Sequence, residues 1–274
     1  MSQSFKSNLA LRTATAFLVL PAIVYGLFRG PVWFWEAFVA VCTLIGLHEF
    51  GVLLQARGLR PFKATGLLIG ALAFAEVNHP GLFPVTLWPV AALAILAAML
   101  HRAGDLAATV PAAAGTLLAA VWVGGLSGTI AALRQVPSPD HGAWRVTLLL
   151  FIIMMGDSLA YFVGNAIGRH KLAPNLSPGK TVEGGVGGLI GGVLGALIVR
   201  ALGFSALSLT AAVGLGVVVA AAGIAGDLAE SLLKRWAGVK DSGNVVPGHG
   251  GMLDRVDSLL FGAAVLYYWF ILNQ

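Results

Sequence analysis

Hydrophobic residues fall in long, nearly unbroken runs along this chain, and polar residues are confined to short breaks between them. The runs lie near residues 12–29, 32–55, 64–78, 82–100, 110–133, 146–168, 184–203, 206–229 and 258–273. A helix needs about 20 apolar residues to cross the hydrocarbon core of a bilayer, and most of these runs reach that length. The pattern predicts an all-α integral membrane protein, a polytopic helix bundle of about nine transmembrane helices. A membrane barrel would show short alternating segments instead. The third run is short, and Asn78, His79 and Pro80 separate it from the fourth, so a re-entrant pair is the alternative there. No polar stretch is long enough to bury a core of its own. The chain therefore reads as a single membrane unit, with N-terminal scaffold helices over 1–144 and C-terminal helices bearing the polar loops over 145–274. Lys6 and Arg12 precede the first run without a small-residue cleavage site after it, which predicts a retained first helix.

Composition agrees with the pattern. Of 274 residues, 58% are hydrophobic and only 11% charged, against about 25% charged in a soluble domain. That excludes ordinary soluble enzymes and disordered chains. The one cysteine, Cys42, lies in an apolar run and reads as a small buried hydrophobe. A net charge of +5 in such a chain points to topology and anionic headgroups and not to nucleic acid.

The basic residues divide unevenly between the two sides. Alternating the connections puts 13 of the 17 Lys and Arg on one side and leaves Arg29, Arg134, Arg145 and Arg200 on the other. The positive-inside rule then places the N-terminus in the cytoplasm and the C-terminus outside. Leaving out every basic residue from 169 onward keeps the bias, at 6 against 3.

Two polar connections stand out, Arg169 to Glu183 and Lys234 to Asp257, both on the cytoplasmic side. Between them, the seventh run carries Gly184, Gly185, Gly187, Gly188, Gly191, Gly192 and Gly195; glycines three and four apart line one helix face and let another backbone approach closely, with a flexible substrate gate as the alternative. In the sixth run Asp157 shares a face with Tyr161, Gly164 and Gly168. A carboxylate at that depth is costly and turns to the protein interior or a wet cavity; a functional role and a structural pairing both fit it. The sequence Gly179-Lys180-Thr181 invites a P-loop reading, but position 174 is proline where a glycine is needed, and an apolar helix precedes it instead of a strand. A cationic, hydroxyl-bearing loop at a helix start, with Ser177, Lys180 and Thr181, still suits a phosphate.

Asp227, Glu230, Ser231 and Lys234 are spaced to share one helix face, and Arg235, Lys240 and Asp241 follow. Then comes Pro247-Gly248-His249-Gly250-Gly251, and Asp254, Arg255 and Asp257 open the last run. Carboxylates from two helices among Lys and Arg suit a hard divalent cation bound with phosphates, since Mg²⁺ takes oxygen ligands and often needs only one or two carboxylates. Interfacial salt bridges are the plainer alternative. His249 has no cysteine or second histidine at zinc-ligand spacing.

At these residues the chain resembles a known family. Ser231-x-x-Lys234-Arg235, Lys240-Asp241 and Pro247-x-His249-Gly250-Gly251-x-x-Asp254-Arg255-x-Asp257 are similar to the signature of phosphatidate cytidylyltransferases, also called CDP-diacylglycerol synthases. Asp157-x-x-Ala160-Tyr161-x-x-Gly164, Gly168-Arg169 and Ser177-Pro178-x-Lys180-Thr181-x-Glu183-Gly184 extend the likeness. Val246 departs mildly from the family's usual residue, and Gly179 stands where a second Lys is common. The first 100 residues carry no specific motif.

The resemblance implies transfer of a cytidylyl group from CTP to phosphatidic acid, giving CDP-diacylglycerol and pyrophosphate. It implies Asp227 and Asp254 as metal-binding carboxylates for Mg²⁺ with a K⁺ beside it; the chemistry of the site adds Asp257 as a further ligand or supporting partner. Lys180, Lys234, Arg235, Lys240 and Arg255 are then expected on phosphates, Asp241 among the catalytic residues, and Ser177, Thr181, Ser231 and His249 as hydrogen-bond donors. A homodimer and a bacterial inner membrane are further expectations. A transporter is the main rival, since Asp157 and glycine-rich helices fit one too. Against it, the polar cluster is one-sided and no internal repeat is visible.

Overall fold

A computed structural model describes residue 21 and residues 23–83, 87–102, 105–136, 138–243, 245 and 250–273. The helices are α1 (Val32–Ala56), α2 (Lys63–Asn78), α3 (Leu87–Leu100), α4 (Leu106–Ala119), α5 (Leu126–Ala132), α6 (Gly142–Ile167), α7 (Val182–Leu202), α8 (Leu209–Ala237) and α9 (Leu253–Leu272). A short π-helical segment, Ala120–Gly125, joins α4 to α5, so that Ala107–Ala132 forms one span. Two short strands, β1 (Lys171–Ala173) and β2 (Ser177–Thr181), connect α6 to α7.

This is an all-α polytopic membrane protein, but the expected count of about nine spans is not reproduced. Among the described residues, six helices are long and apolar enough to cross a bilayer: Val32–Ala56, Ala107–Ala132, Gly142–Ile167, Val182–Leu202, Leu209–Ala237 and Leu253–Leu272. The run at 12–29 lies mostly outside the described residues. The runs at 64–78 and 82–100 become α2 and α3, of 16 and 14 residues. At 1.5 Å per residue these reach about 24 and 21 Å, short of the roughly 30 Å hydrocarbon core. Apolar composition alone does not register where a helix starts and stops.

The chain divides into two compact units: Met1–Ala131 with Trp236–Arg255, and Ala132–Arg235 with Val256–Gln274. In the first, Phe50, Leu53, Leu54, Ile69, Ala73, Ala120 and Val123 are buried. The Phe50 and Trp122 rings meet edge to face at 5.9 Å. Two polar contacts here are made inside the protein, as a membrane interior favours. The Thr43 and Ser127 hydroxyls lie 2.9 Å apart, and Trp35 Nε1 donates to the Ile130 carbonyl at 3.2 Å.

In the second unit the glycine face of α7 packs on α6, as its spacing predicts. A Cβ built on Gly195 would lie 2.5 Å from the Phe151 carbonyl oxygen, and one on Gly188 3.3 Å from Ala160 Cβ. Only a bare backbone fits at Gly195. Leu148, Leu149, Ile152, Ala196, Val199, Val219, Leu260 and Leu266 fill the interior. Phe162, Val186, Leu194 and Val218 are exposed, which suits a lipid-facing surface.

Candidate active site

The Arg169–Glu183 connection, expected as a loop, is an antiparallel ribbon with Lys171 opposite Thr181 and Ala173 opposite Ser177. Pro174 and Asn175 make its turn, closed by the Leu176 N–H donating to the Ala173 carbonyl at 3.2 Å. Glu183 clips its base: the carboxylate accepts the N–H groups of Arg169 at 3.1 Å and His170 at 3.2 Å and lies 2.6 Å from His170 Nδ1. Thr181 is buried and caps α7, its hydroxyl oxygen accepting the Gly184 N–H at 3.1 Å, which satisfies one orphan donor of the first turn.

The ribbon delivers Lys180 to α8, where its ammonium pairs with Oδ2 of Asp227. The pair borders a cavity of about 400 Å³ whose wall also includes Asp157, Tyr161, Ser177 and Thr181. Asp157 therefore faces a cavity, as its helical face with Tyr161 and Gly164 predicts. Gly226 allows α9 to approach α8 beside Asp227, since a Cβ there would lie 2.5 Å from the Asp257 carbonyl oxygen. Asp257 is buried and accepts the Ser258 N–H at 2.6 Å.

Helix α8 runs to Ala237, beyond the apolar run that ends near 229, so Asp227, Ser231, Lys234 and Arg235 stand on one rigid element, as the helical spacing of Asp227, Ser231 and Lys234 predicts. Ser231 Oγ lies 3.4 Å from Asp227 Oδ1. Lys234 pairs with the fully buried Glu230 one turn earlier. Arg235 Nε donates to the Leu176 carbonyl at 3.2 Å, tying the end of α8 to the ribbon turn.

Asp254 lies in the other unit, at the start of α9. Its Oδ2 accepts the Ser242 N–H at 2.9 Å, the Ser242 hydroxyl at 2.8 Å and the Gly251 N–H at 3.0 Å. Gly250 takes φ +82°, a left-handed conformation that turns the chain just before this cage. Lys240, Asp241 and Arg255 are exposed. His249 falls outside the described residues.

One residue of this cage escaped sequence reasoning. Glu49, two turns before the C-terminal end of α1, is only 2% exposed and accepts the N–H groups of Met252 at 2.9 Å and Leu253 at 2.8 Å. A carboxylate within an apolar run was the available signal. The same run also holds Glu36 and His48, so position alone did not separate them.

Among the described residues no three His, Cys, Asp or Glu side chains gather as a metal cluster. A Mg²⁺ that shares its coordination with substrate phosphates does not require one. Asp227 presents oxygen donors beside an open cavity, with an ammonium already against one of them. That chemistry fits a hard cation.

Comparison with known proteins now bears on this geometry. A sequence model described as the cytidylyltransferase family matches residues 10–272. Over 279 residues the chain is 32% identical to a phosphatidate cytidylyltransferase of Synechocystis sp., covering 92% of this chain and 93% of that protein. A phosphatidate cytidylyltransferase of Haemophilus influenzae is 41% identical over 140 residues, 49% of each chain. An Escherichia coli protein, uncharacterized protein YnbB, is 34% identical over 251 residues, 88% of this chain and 80% of its own. The match to the family runs through both the Lys180–Asp227 cavity and the Asp254 cage, and the chain belongs to the cytidylyltransferase family.

Proposed function

We propose that this protein transfers the cytidylyl group of CTP to phosphatidic acid, releasing pyrophosphate and leaving CDP-diacylglycerol in the bilayer for phospholipid biosynthesis. The observation that carries this reading is the pairing of Lys180 with Asp227 at a cavity also lined by Asp157, Ser177 and Thr181, in an otherwise apolar chain. The family membership and the phosphatidate cytidylyltransferases among its relatives support it.

In this reaction a phosphate oxygen of phosphatidic acid attacks the α-phosphorus of CTP. The bond from that phosphorus to the bridging oxygen breaks, and pyrophosphate leaves. The nucleophile is already anionic near neutral pH, so no strong general base is needed. The obstacle is bringing two polyanions into line, which cations overcome by neutralising and orienting them. Lys180 stands at the cavity for this, with Lys234, Arg235, Lys240 and Arg255 as further phosphate contacts. Ser177, Thr181, Ser231 and His249 supply hydroxyl or ring donors, and Asp241 joins the catalytic residues. Mg²⁺, held by Asp227 and Asp254 with Asp257 as ligand or supporting partner, would supply charge neutralisation and leaving-group orientation, with a K⁺ beside it. The lipid tails enter sideways from the bilayer.

The same proposal includes a cytoplasmic N-terminus, a catalytic face on the cytoplasmic side of a bacterial inner membrane, a total of about nine membrane segments and a homodimer. Its basis is the 13-to-4 distribution of basic residues, the apolar runs beyond the six described spans, and the family likeness. Purified protein given radiolabelled CTP, phosphatidic acid and Mg²⁺ is expected to place label in the lipid phase. No labelled CDP-lipid under any cation condition overturns the assignment. A cysteine introduced at Asn244 with Cys42 replaced is expected to react from the cytoplasmic side; labelling from outside reverses the orientation.

A further inference from the structure

We infer that Glu49 is a positioning residue for the reaction: from within α1 it holds the backbone at Met252 and Leu253 and, together with Ser242, sets the carboxyl group of Asp254. The inference rests on the activity proposed above and concerns a residue outside every motif that pointed to it.

Both oxygens of the Glu49 carboxyl are engaged. Oε1 accepts the Met252 N–H at 2.9 Å, and Oε2 accepts the Leu253 N–H at 2.8 Å. These donors belong to the start of α9, where N–H groups have no partner inside the helix. The cap comes from a residue about 200 positions earlier in the chain. Ser242 Oγ lies 3.3 Å from Glu49 Oε2 and 2.8 Å from Asp254 Oδ2. Its single proton goes to the nearer acceptor, so Ser242 bonds Asp254 while resting against Glu49.

The surrounding space is cut to this carboxyl. A Cβ on Gly243 would lie 2.6 Å from Glu49 Oε1, and a Cβ on Gly251 2.8 Å from Oε2. Two backbone segments close on Glu49 only because both positions are glycine.

Burying a carboxyl group in a membrane helix is expensive. Apolar packing would join α1 to this loop at lower cost. What a carboxyl adds is a fixed pair of acceptors for the two residues immediately before Asp254. Any slip of that backbone carries the Asp254 carboxyl with it, and a displacement of about 1 Å is enough to cost roughly 100-fold in an in-line reaction.

The test uses the full-length protein with Glu49→Gln, Glu49→Ala and Ser242→Ala. Three quantities are read: kcat, KM for phosphatidic acid, and amide hydrogen exchange across 250–255. Loss of a group that orients a metal-binding carboxylate typically costs about 10- to 100-fold. Glu49→Ala is expected at the upper end of that range in kcat, with KM within about twofold. Its exchange at Met252 and Leu253 should quicken while α6 and α7 exchange as in the wild type. Glu49→Gln keeps an acceptor on one side and should fall between wild type and Glu49→Ala. Ser242→Ala leaves the bonds from Met252 and Leu253 in place, so it should lower kcat by about 10-fold without quickening their exchange.

Wild-type kcat in both Glu49 variants overturns the inference. So does exchange that quickens throughout the chain in Glu49→Gln, which would make Glu49 a scaffold residue. A wild-type protein that forms no CDP-lipid overturns the reaction assigned above. Exchange at Met252 and Leu253 then decides the hold on its own: local quickening in Glu49→Ala supports it, and unchanged exchange overturns it.

Discussion

Asp227 and Asp254 are the two carboxylates that the family resemblance implies as metal ligands, yet the chain surrounds them in opposite ways. Asp227 stands on a long helix beside a cavity, faced by the ammonium of Lys180 on a short ribbon. Asp254 has one oxygen enclosed by two backbone N–H groups and a buried hydroxyl, in a loop gripped by Glu49. A lysine side chain is flexible and can turn to an incoming phosphate. Backbone donors cannot turn. The first arrangement leaves a charged pair able to exchange partners, and the second keeps one carboxyl in a preset attitude.

The sharpest way to break that comparison is to neutralise each carboxylate in turn. Asp227→Asn and Asp254→Asn should each lower turnover by about 1,000-fold or more, the scale on which removing a charge aimed at a transition state acts. In Asp254→Asn the amide oxygen can still accept from Ser242 and Gly251, so the protein should remain folded. Label in CDP-lipid is the measure, and a near-normal rate in either variant removes that carboxylate from the reaction.

A smaller effect distinguishes exchangeable from fixed. Lys180→Met removes a charge-assisted contact and should cost about 10- to 100-fold in kcat/KM. The partly exposed ion pair adds little to stability, so the thermal midpoint should barely move. A large fall in that midpoint would show Lys180 to be a structural clamp, like the Asp254 cage.

Smaller again is Thr181→Ala, which deletes the cap of α7 and should cost about 1 kcal/mol of stability. Faster amide exchange in the first turn of α7 would report it. An effect on turnover as large as that of Lys180→Met would instead make the hydroxyl a substrate contact.

Much of this was legible along the chain. The long apolar runs became helices because a backbone in lipid must satisfy its own hydrogen bonds. The glycine spacing of α7 and the face shared by Asp157, Tyr161 and Gly164 carried over because helical period alone decides them. The ribbon was missed because β1 has three residues and β2 contains Pro178 and Gly179, so neither carries a strand pattern. Arg235, expected on a phosphate, also donates to the Leu176 carbonyl, a contact the chain order does not name. Both residues lie in polar connections, where sequence names a donor but not its acceptor.

By itself, then, the sequence determined a membrane-spanning helical protein, its two polar connections, and the family to which they belong. These follow from local quantities: hydropathy, helical spacing and the order of polar residues. Only the tertiary structure decided which carboxylate meets a lysine and which meets backbone amides. It alone brought Glu49 to residues about 200 positions later. A hydrogen bond depends on distance in space, and for groups so far apart in the chain, packing alone sets that distance.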